Sequence, residues 1–227
     1  MFTQKPIAMR SNVTHVRPPI RPFVFLFTFI LLATTSNSQI LLNTSFEGTN
    51  PWAGMTNNQS CCSHSVSTST SVVHDGSQSF KSEVRANDPA VSSGYRAELT
   101  TPNIRDEGDM WYGWSMYFEP NNAANNDWSG CCGHVVQWHP SSSTGGAVLD
   151  LRADGGRFDF CVNPAGGGST THQPGTLRDI VPGRWYDIVM HVNWAASGGL
   201  LEVWLDGTLY YTRQVNWTSG RYFKFGM

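Results

Sequence analysis

Charge is scarce in this chain of 227 residues: only 14% are Asp, Glu, Lys or Arg. Such a composition, with 9 Trp, 12 Phe and 22 Gly, suits a single all-β domain better than a helical one. No stretch carries a helical apolar period and no internal repeat is visible, which argues against bundles and solenoid arrays. Long apolar runs are also missing. The one from Pro22 to Ala33 is too short for a transmembrane helix, and nothing after it is hydrophobic enough to span a membrane. Histidines and cysteines are present, but their spacing fits no zinc template. The metal ligands, if any, are therefore unknown.

The first residues read differently from the rest. Lys5, Arg10, Arg17 and Arg21 precede the apolar run, and a small polar tail, Thr34 to Ser38, follows it. That is the shape of a secretory signal peptide over residues 1–38, with the domain occupying 39–227 and the protein secreted to the extracellular space. No acid leaves with the leader, so Lys+Arg falls from 15 to 11 against 17 acids, a net charge of −6. A generally basic surface is absent, which excludes nucleic acid as a partner, and no membrane is expected once the leader is cut. Secretion makes disulfides the default for Cys61, Cys62, Cys131, Cys132 and Cys161. Neighbouring cysteines rarely bond each other, so each adjacent pair is expected to bridge to a distant strand or loop. Asn43, Asn58 and Asn216 begin N-glycosylation sequons, which marks a glycoprotein if the host is eukaryotic.

Strand signals then recur along the chain. Ile40 to Phe46 reads as an opening strand, followed by Glu47 and a loop rich in Asn, Ser and Thr out to Ser71. Asp75-Gly76 is a turn, and the strand after it is expected to run through Lys81 to Ala86. Strands follow at 95–99, 110–118, 135–139, 147–152 and 158–162, with a polar loop at 121–130 and a flexible Gly-rich one at 163–175. Trp185 to Trp194 should turn Tyr186, Ile188, Met190, Val192 and Trp194 to the core. Leu200–Leu205 and Thr208–Gln214 flank Asp206-Gly207, a strong hairpin signal. Many short strands punctuated in this way predict a β-jelly roll, a sandwich of two antiparallel sheets.

Three segments set polar pairs on one face of a strand. Arg96 and Glu98 are two apart, as are Gln137 and His139; Tyr222, Lys224 and Gly226 alternate with Phe223 and Phe225. Any one Arg-x-Glu pair is more often a surface ion pair than a catalytic group, and His64, His74, His134, His172 and His191 have no partner the sequence names. The three pairs together suggest the floor of a polar groove. Their order, Arg-x-Glu-Leu, then Gln-x-His, then Tyr-Phe-Lys-x-Gly, resembles that of the jelly-roll polysaccharide lyases: the alginate lyases, glucuronan lyases and heparin lyase I. The stretch from Trp185 to Asp206-Gly207 is similar to concanavalin-A-like sandwiches and favours the glucuronan and heparin lyase I branch.

That resemblance implies β-elimination on an anionic, uronic-acid polysaccharide by a monomer, with no cofactor needed for the chemistry. Removing the C5 proton requires the neighbouring carboxylate to be neutralised, a role for Arg96 and Gln137. His139 suits the base, its pKa lying nearest neutral. Glu98 would orient Arg96, Lys224 would raise the positive potential, and Tyr222, Tyr95 and Arg152 would contact substrate. The family's final motif tyrosine, an acid or acid and base together, would fall one position past Met227, so a C-terminally truncated domain or an inactive homologue is the implied exception. Tyr222 or Tyr95 could substitute only if its reach along the groove were right to about an ångström. A structural calcium near Glu47 is similarly implied by the opening Phe-Glu strand and Asp-Gly turn. Two readings compete. A non-catalytic, lectin-like carbohydrate-binding jelly roll shares the fold and the aromatic content. A laminarinase-type hydrolase needs paired carboxylates that Asp150 and Asp154 do not supply.

Overall fold

Period-two alternation of apolar side chains sets the architecture. In the computed structural model, which describes residues 2–3, 39–51, 53–101, 107–120, 133–140, 146–164, 171–172, 178–218 and 221–227, every assigned element is a strand. They are β1 (Phe2–Thr3), β2 (Thr56–Ser60), β3 (Val66–Ser69), β4 (Ser79–Ser82), β5 (Ala97–Thr100), β6 (Asp109–Tyr117), β7 (Gly133–Pro140), β8 (Leu149–Asp154), β9 (Arg157–Val162), β10 (Thr171–His172), β11 (Arg178–Asp179), β12 (Trp185–Asn193), β13 (Leu200–Leu205), β14 (Thr208–Gln214) and β15 (Arg221–Gly226). One sheet runs β14-β13-β12-β6-β1-β4-β3, the other β10-β9-β8-β7-β15-β5-β2 with β11 beside β9. Neighbours pair antiparallel, and the two sheets form a β-jelly-roll sandwich.

The inner faces hold the core. Tyr186, Ile188, Met190, Val192 and Trp194 are all buried from the first sheet, as the alternation predicts, and Trp138, Leu149, Leu151, Phe158 and Phe225 meet them from the second. Aromatic edges fill the seam: Tyr112 packs on Trp138 with ring centroids 4.9 Å apart, and Phe80 on Phe225 at 5.2 Å. Burying one such ring contributes at most roughly 4–6 kcal/mol, from 150–250 Å² at about 25 cal/mol per Å². Asp206 and Gly207 both take positive φ, 51° and 76°, the type I′ turn that matches strand twist.

Several expectations need correction. Residues 40–46 form no strand; Ile40 and Leu41 are exposed, and only Phe46, its ring centroid 5.4 Å from that of Phe80 and tilted by 31°, is anchored in the core. Conversely β2 and β3 lie inside the stretch read as loop, because edge strands of Asn, Gln, Ser and Thr lack the apolar alternation that betrays a strand. The strand after the Asp75-Gly76 turn ends at Ser82 rather than continuing to Ala86. Cys61 and Cys62 bond each other, at a Cα separation of 3.7 Å inside a turn closed by Ser65 N donating to Cys62 O. Cys161 is buried and forms no disulfide among the described residues, its Sγ lying 3.5 Å from Asp159 Oδ2. Of the stretch expected as a leader, 1–38, only Phe2 and Thr3 are described, paired as β1 between β4 and β6; the rest of it, the loop at 121–130, most of 163–175, and Cys131 and Cys132 lie outside the described residues.

Candidate active site

Strand register brings the three polar pairs to one corner of the second sheet. On β15, Lys224 lies opposite Gln137 of β7 and Thr100 of β5, Tyr222 lies opposite His139, and Gly226 opposite Glu98. Residues paired across antiparallel strands project from the same face, so three segments far apart in sequence share one surface.

Glu98 is the hub of this corner. The residue is only 2% exposed, and its carboxylate accepts from Arg96 Nη1 at 2.9 Å, from Lys224 Nζ at 3.1 Å and from Gln137 Nε2. One negative charge therefore holds two cations and an amide. Lys224 is as buried as Glu98, and burial, followed by nearby Arg96, pulls its pKa down while Glu98 resists. Two glycines make room. A Cβ on Gly226 would lie 2.1 Å from Ala97 O, and its φ is 121°, so only glycine lets β15 approach β5 closely enough for Lys224 to reach Glu98. A Cβ on Gly94 would stand 3.1 Å from Arg96 Nε, so the guanidinium lies over a residue with no side chain.

His139 and Tyr222 are half-buried neighbours, with ring centroids 5.5 Å apart. His139 Nδ1 is 3.1 Å from the Pro140 carbonyl. A carbonyl only accepts, so Nδ1 carries the proton and Nε2 keeps its lone pair. Burial first, then the charges of Lys224 and Arg96, lower the imidazole pKa and hold it neutral near pH 7. Burial, reinforced by Glu98, raises the pKa of Tyr222 and keeps its hydroxyl protonated. The corner thus joins a neutral base, a protonated phenol and a partly exposed guanidinium.

Arg152 does not belong to the open part of this set. It is buried and donates through Nε at 2.8 Å and Nη2 at 3.0 Å to Asp150, which His134 approaches at 3.3 Å. Asp150 stands opposite Gln137, next along the same face, so this ion pair flanks the Glu98 cluster as a rigid wall. The sequence carries its signal, Asp-x-Arg, in the same form as Arg-x-Glu. Tyr95 is 67% exposed beside Arg96 and makes no hydrogen bond among the described residues. Other histidines have partners too: His64 meets Asp88 at 3.0 Å and His191 meets Asp109 and Glu202. The Glu47 carboxylate accepts from Ser77 N at 2.9 Å, Ser77 Oγ and Gln78 N at 3.1 Å, while Gln78 Nε2 donates to the Phe46 and Gly48 carbonyls. These oxygens face hydrogen-bond donors and lock a turn, an arrangement that does not fit a calcium ion.

A family model described as Polysaccharide lyase matches residues 45–227. Among solved structures, the chain is similar to an endo-β-1,4-glucuronan lyase from the fungus Trichoderma reesei, at 16% identity over 76% of this chain and 77% of that one, with a TM-score of 0.58. It is also similar to alginate lyase PA1167 from Pseudomonas aeruginosa, at 18% identity over 60% of this chain and 64% of that one, TM-score 0.42. No curated protein matches it.

Proposed function

From a chain that belongs to the polysaccharide lyase family, we propose a secreted enzyme that cleaves a uronic-acid polysaccharide by β-elimination at the Arg96–Gln137–His139–Tyr222 corner. The observation that carries this is the protonation pattern: a neutral His139 with Nε2 free, beside a phenol that keeps its proton. Arg96, held by Glu98 but with its side chain still 30% exposed, pairs with the uronate carboxylate, and Gln137 adds a hydrogen bond. Both act where negative charge develops, which is where electrostatic assistance counts most. His139 Nε2 then takes the C5 proton. The C5–H electron pair becomes the C4–C5 double bond, the C4–O bond breaks, and the departing oxygen takes a proton from the Tyr222 hydroxyl. The products are an unsaturated uronide and a new chain end, with His139 protonated and Tyr222 ionised until they exchange a proton through solvent.

The likeness to a glucuronan lyase supports β-linked glucuronan as the first substrate to try. Glucuronan, alginate and heparin should be followed in turn by the ultraviolet absorbance of the unsaturated product. Wild type should give a rise on one of them, and His139→Ala should lose roughly 10²–10⁴-fold of it. A His139→Ala variant of full activity would overturn the base assignment. Binding to these polymers without any rise would place the protein with the non-catalytic carbohydrate binders.

A further inference from the structure

An outward sheet face that meets water should alternate to polar residues. The outer face of β6, β12, β13 and β14 does not. Gly113, Val189, Trp204 and Leu209 lie directly opposite one another across four strands, an apolar stripe about 14 Å wide at the usual strand spacing of ~4.8 Å. Trp111, one row along, lies over it: its ring is stacked on His191 at 4.3 Å with a 12° tilt and on Trp204 at 5.5 Å with a 24° tilt. Trp111 is nevertheless 58% exposed and Leu209 49%, large apolar surface with no use in holding the fold. A Cβ on Gly113 would meet nothing within 4 Å, so the stripe has an open hollow beside the two indoles.

The rim is acidic. Asp109 and Glu202 bracket His191 at 2.7 and 2.8 Å; burial opposes protonation of this imidazole, but the two carboxylates win and raise its pKa. Asp187 follows along β12, and β6, β12 and β13 contain no Lys or Arg. A polyuronate would be repelled here. A sugar ring without charge would not: its C–H face is apolar and slightly positive, which suits the negative face of an indole, and its hydroxyls can donate to Asp109 and Glu202.

We propose that this face is a second carbohydrate site, a platform that holds a neutral polysaccharide such as a β-glucan or xylan. It lies on the opposite side of the sandwich from the lyase corner, since the two sheets pack through their inner faces. The enzyme would then be anchored to a neutral polysaccharide while the corner cuts the uronate, and the anchoring does not depend on which uronate that is.

The test is affinity electrophoresis of the full chain through gels carrying cellulose derivatives, xylan, β-1,3-glucan or glucuronan, with Trp111→Ala and Gly113→Arg as variants. Trp111 is exposed and Gly113 has open space, so both variants should fold and keep wild-type uronate cleavage. Wild type should be retarded in at least one neutral gel, and each variant should lose roughly tenfold in affinity, about 1.4 kcal/mol. Three results would overturn the platform. Wild type could run freely in every neutral gel. The variants could be retarded as strongly as wild type. Light scattering could show a wild-type dimer that Trp111→Ala dissolves, making the face a contact between copies of this chain.

Discussion

Replacing Glu98 by Gln tests the corner at its hub. The substitution keeps shape and removes the one charge on which Arg96, Lys224 and Gln137 converge. The new amide has one oxygen where three donors need acceptors, and its own NH₂ faces one of them. Lys224 suffers most, because it is 2% exposed and has no water to turn to, whereas Arg96 is partly solvated. Removing one partner of a buried ion pair costs about 3–5 kcal/mol. For a domain of this size each kcal/mol moves Tm by about 2–4 °C, so the drop should be roughly 6–20 °C. Thermal unfolding at neutral pH reads it directly. A second step separates lost charge balance from lost packing: adding Lys224→Met to Glu98→Gln removes the stranded ammonium, and the double variant should regain part of the loss. A Glu98→Gln protein melting within about 2 °C of wild type, or a double variant no more stable than the single one, would refute the hub.

Two further outcomes follow from the same corner. Gly226→Ala puts a methyl 2.1 Å from Ala97 O at a φ of 121°, so it should cost about 1–3 kcal/mol or more in urea unfolding and sharply reduce lyase activity, while Gly113→Ala, set in open space, should do neither. An unchanged Gly226→Ala would mean that β15 need not approach β5 so closely. The pH profile should report His139. Its folded pKa lies below the ordinary imidazole value of about 6.5, so its contribution to stability is full above that value and lost as pH falls through the folded one. The acid limb of kcat/KM should accordingly lie below pH ~6.5. Lys224→Met removes a cation that depresses the imidazole and should move that limb upward; a limb that stays put would deny the coupling.

Much of this was legible because alternation is a local signal. The strand from Trp185 to Trp194 shows its buried face residue by residue, and Asp206-Gly207 names its own turn. Gln137 and His139 share a face for the same reason. What the sequence hides is registry between strands. Nothing in Tyr222-Phe223-Lys224 says that Lys224 stops opposite Gln137, or that Glu98 bonds to Gln137 as well as to Arg96. Arg152 shows the same blindness from the other side. Its spacing allowed an open cation, but Asp150 two residues earlier on the same face takes its Nε and Nη2 donors. The polar edges β2 and β3 were illegible because their strand character comes from the neighbours they pair with, not from apolar alternation.

Registry also bears on how a chain with more acids than bases, 17 against 15, could act on the polyanion proposed above. Farther along the face Arg152 is flanked by both Asp150 and Asp159, but at the hub Glu98 is one negative charge shared by two cations, which leaves a local surplus of one positive charge there. Two unit charges 4 Å apart interact by about 1 kcal/mol in water and about 4 kcal/mol at the effective dielectric of a partly buried site. A single uncompensated charge under His139 and Tyr222 therefore acts on a uronate, and still more on the dianionic enolate that follows, as strongly as several exposed lysines would. The overall acidity then limits nonspecific capture of polyanions elsewhere on the surface, so recognition is concentrated where the proton is removed.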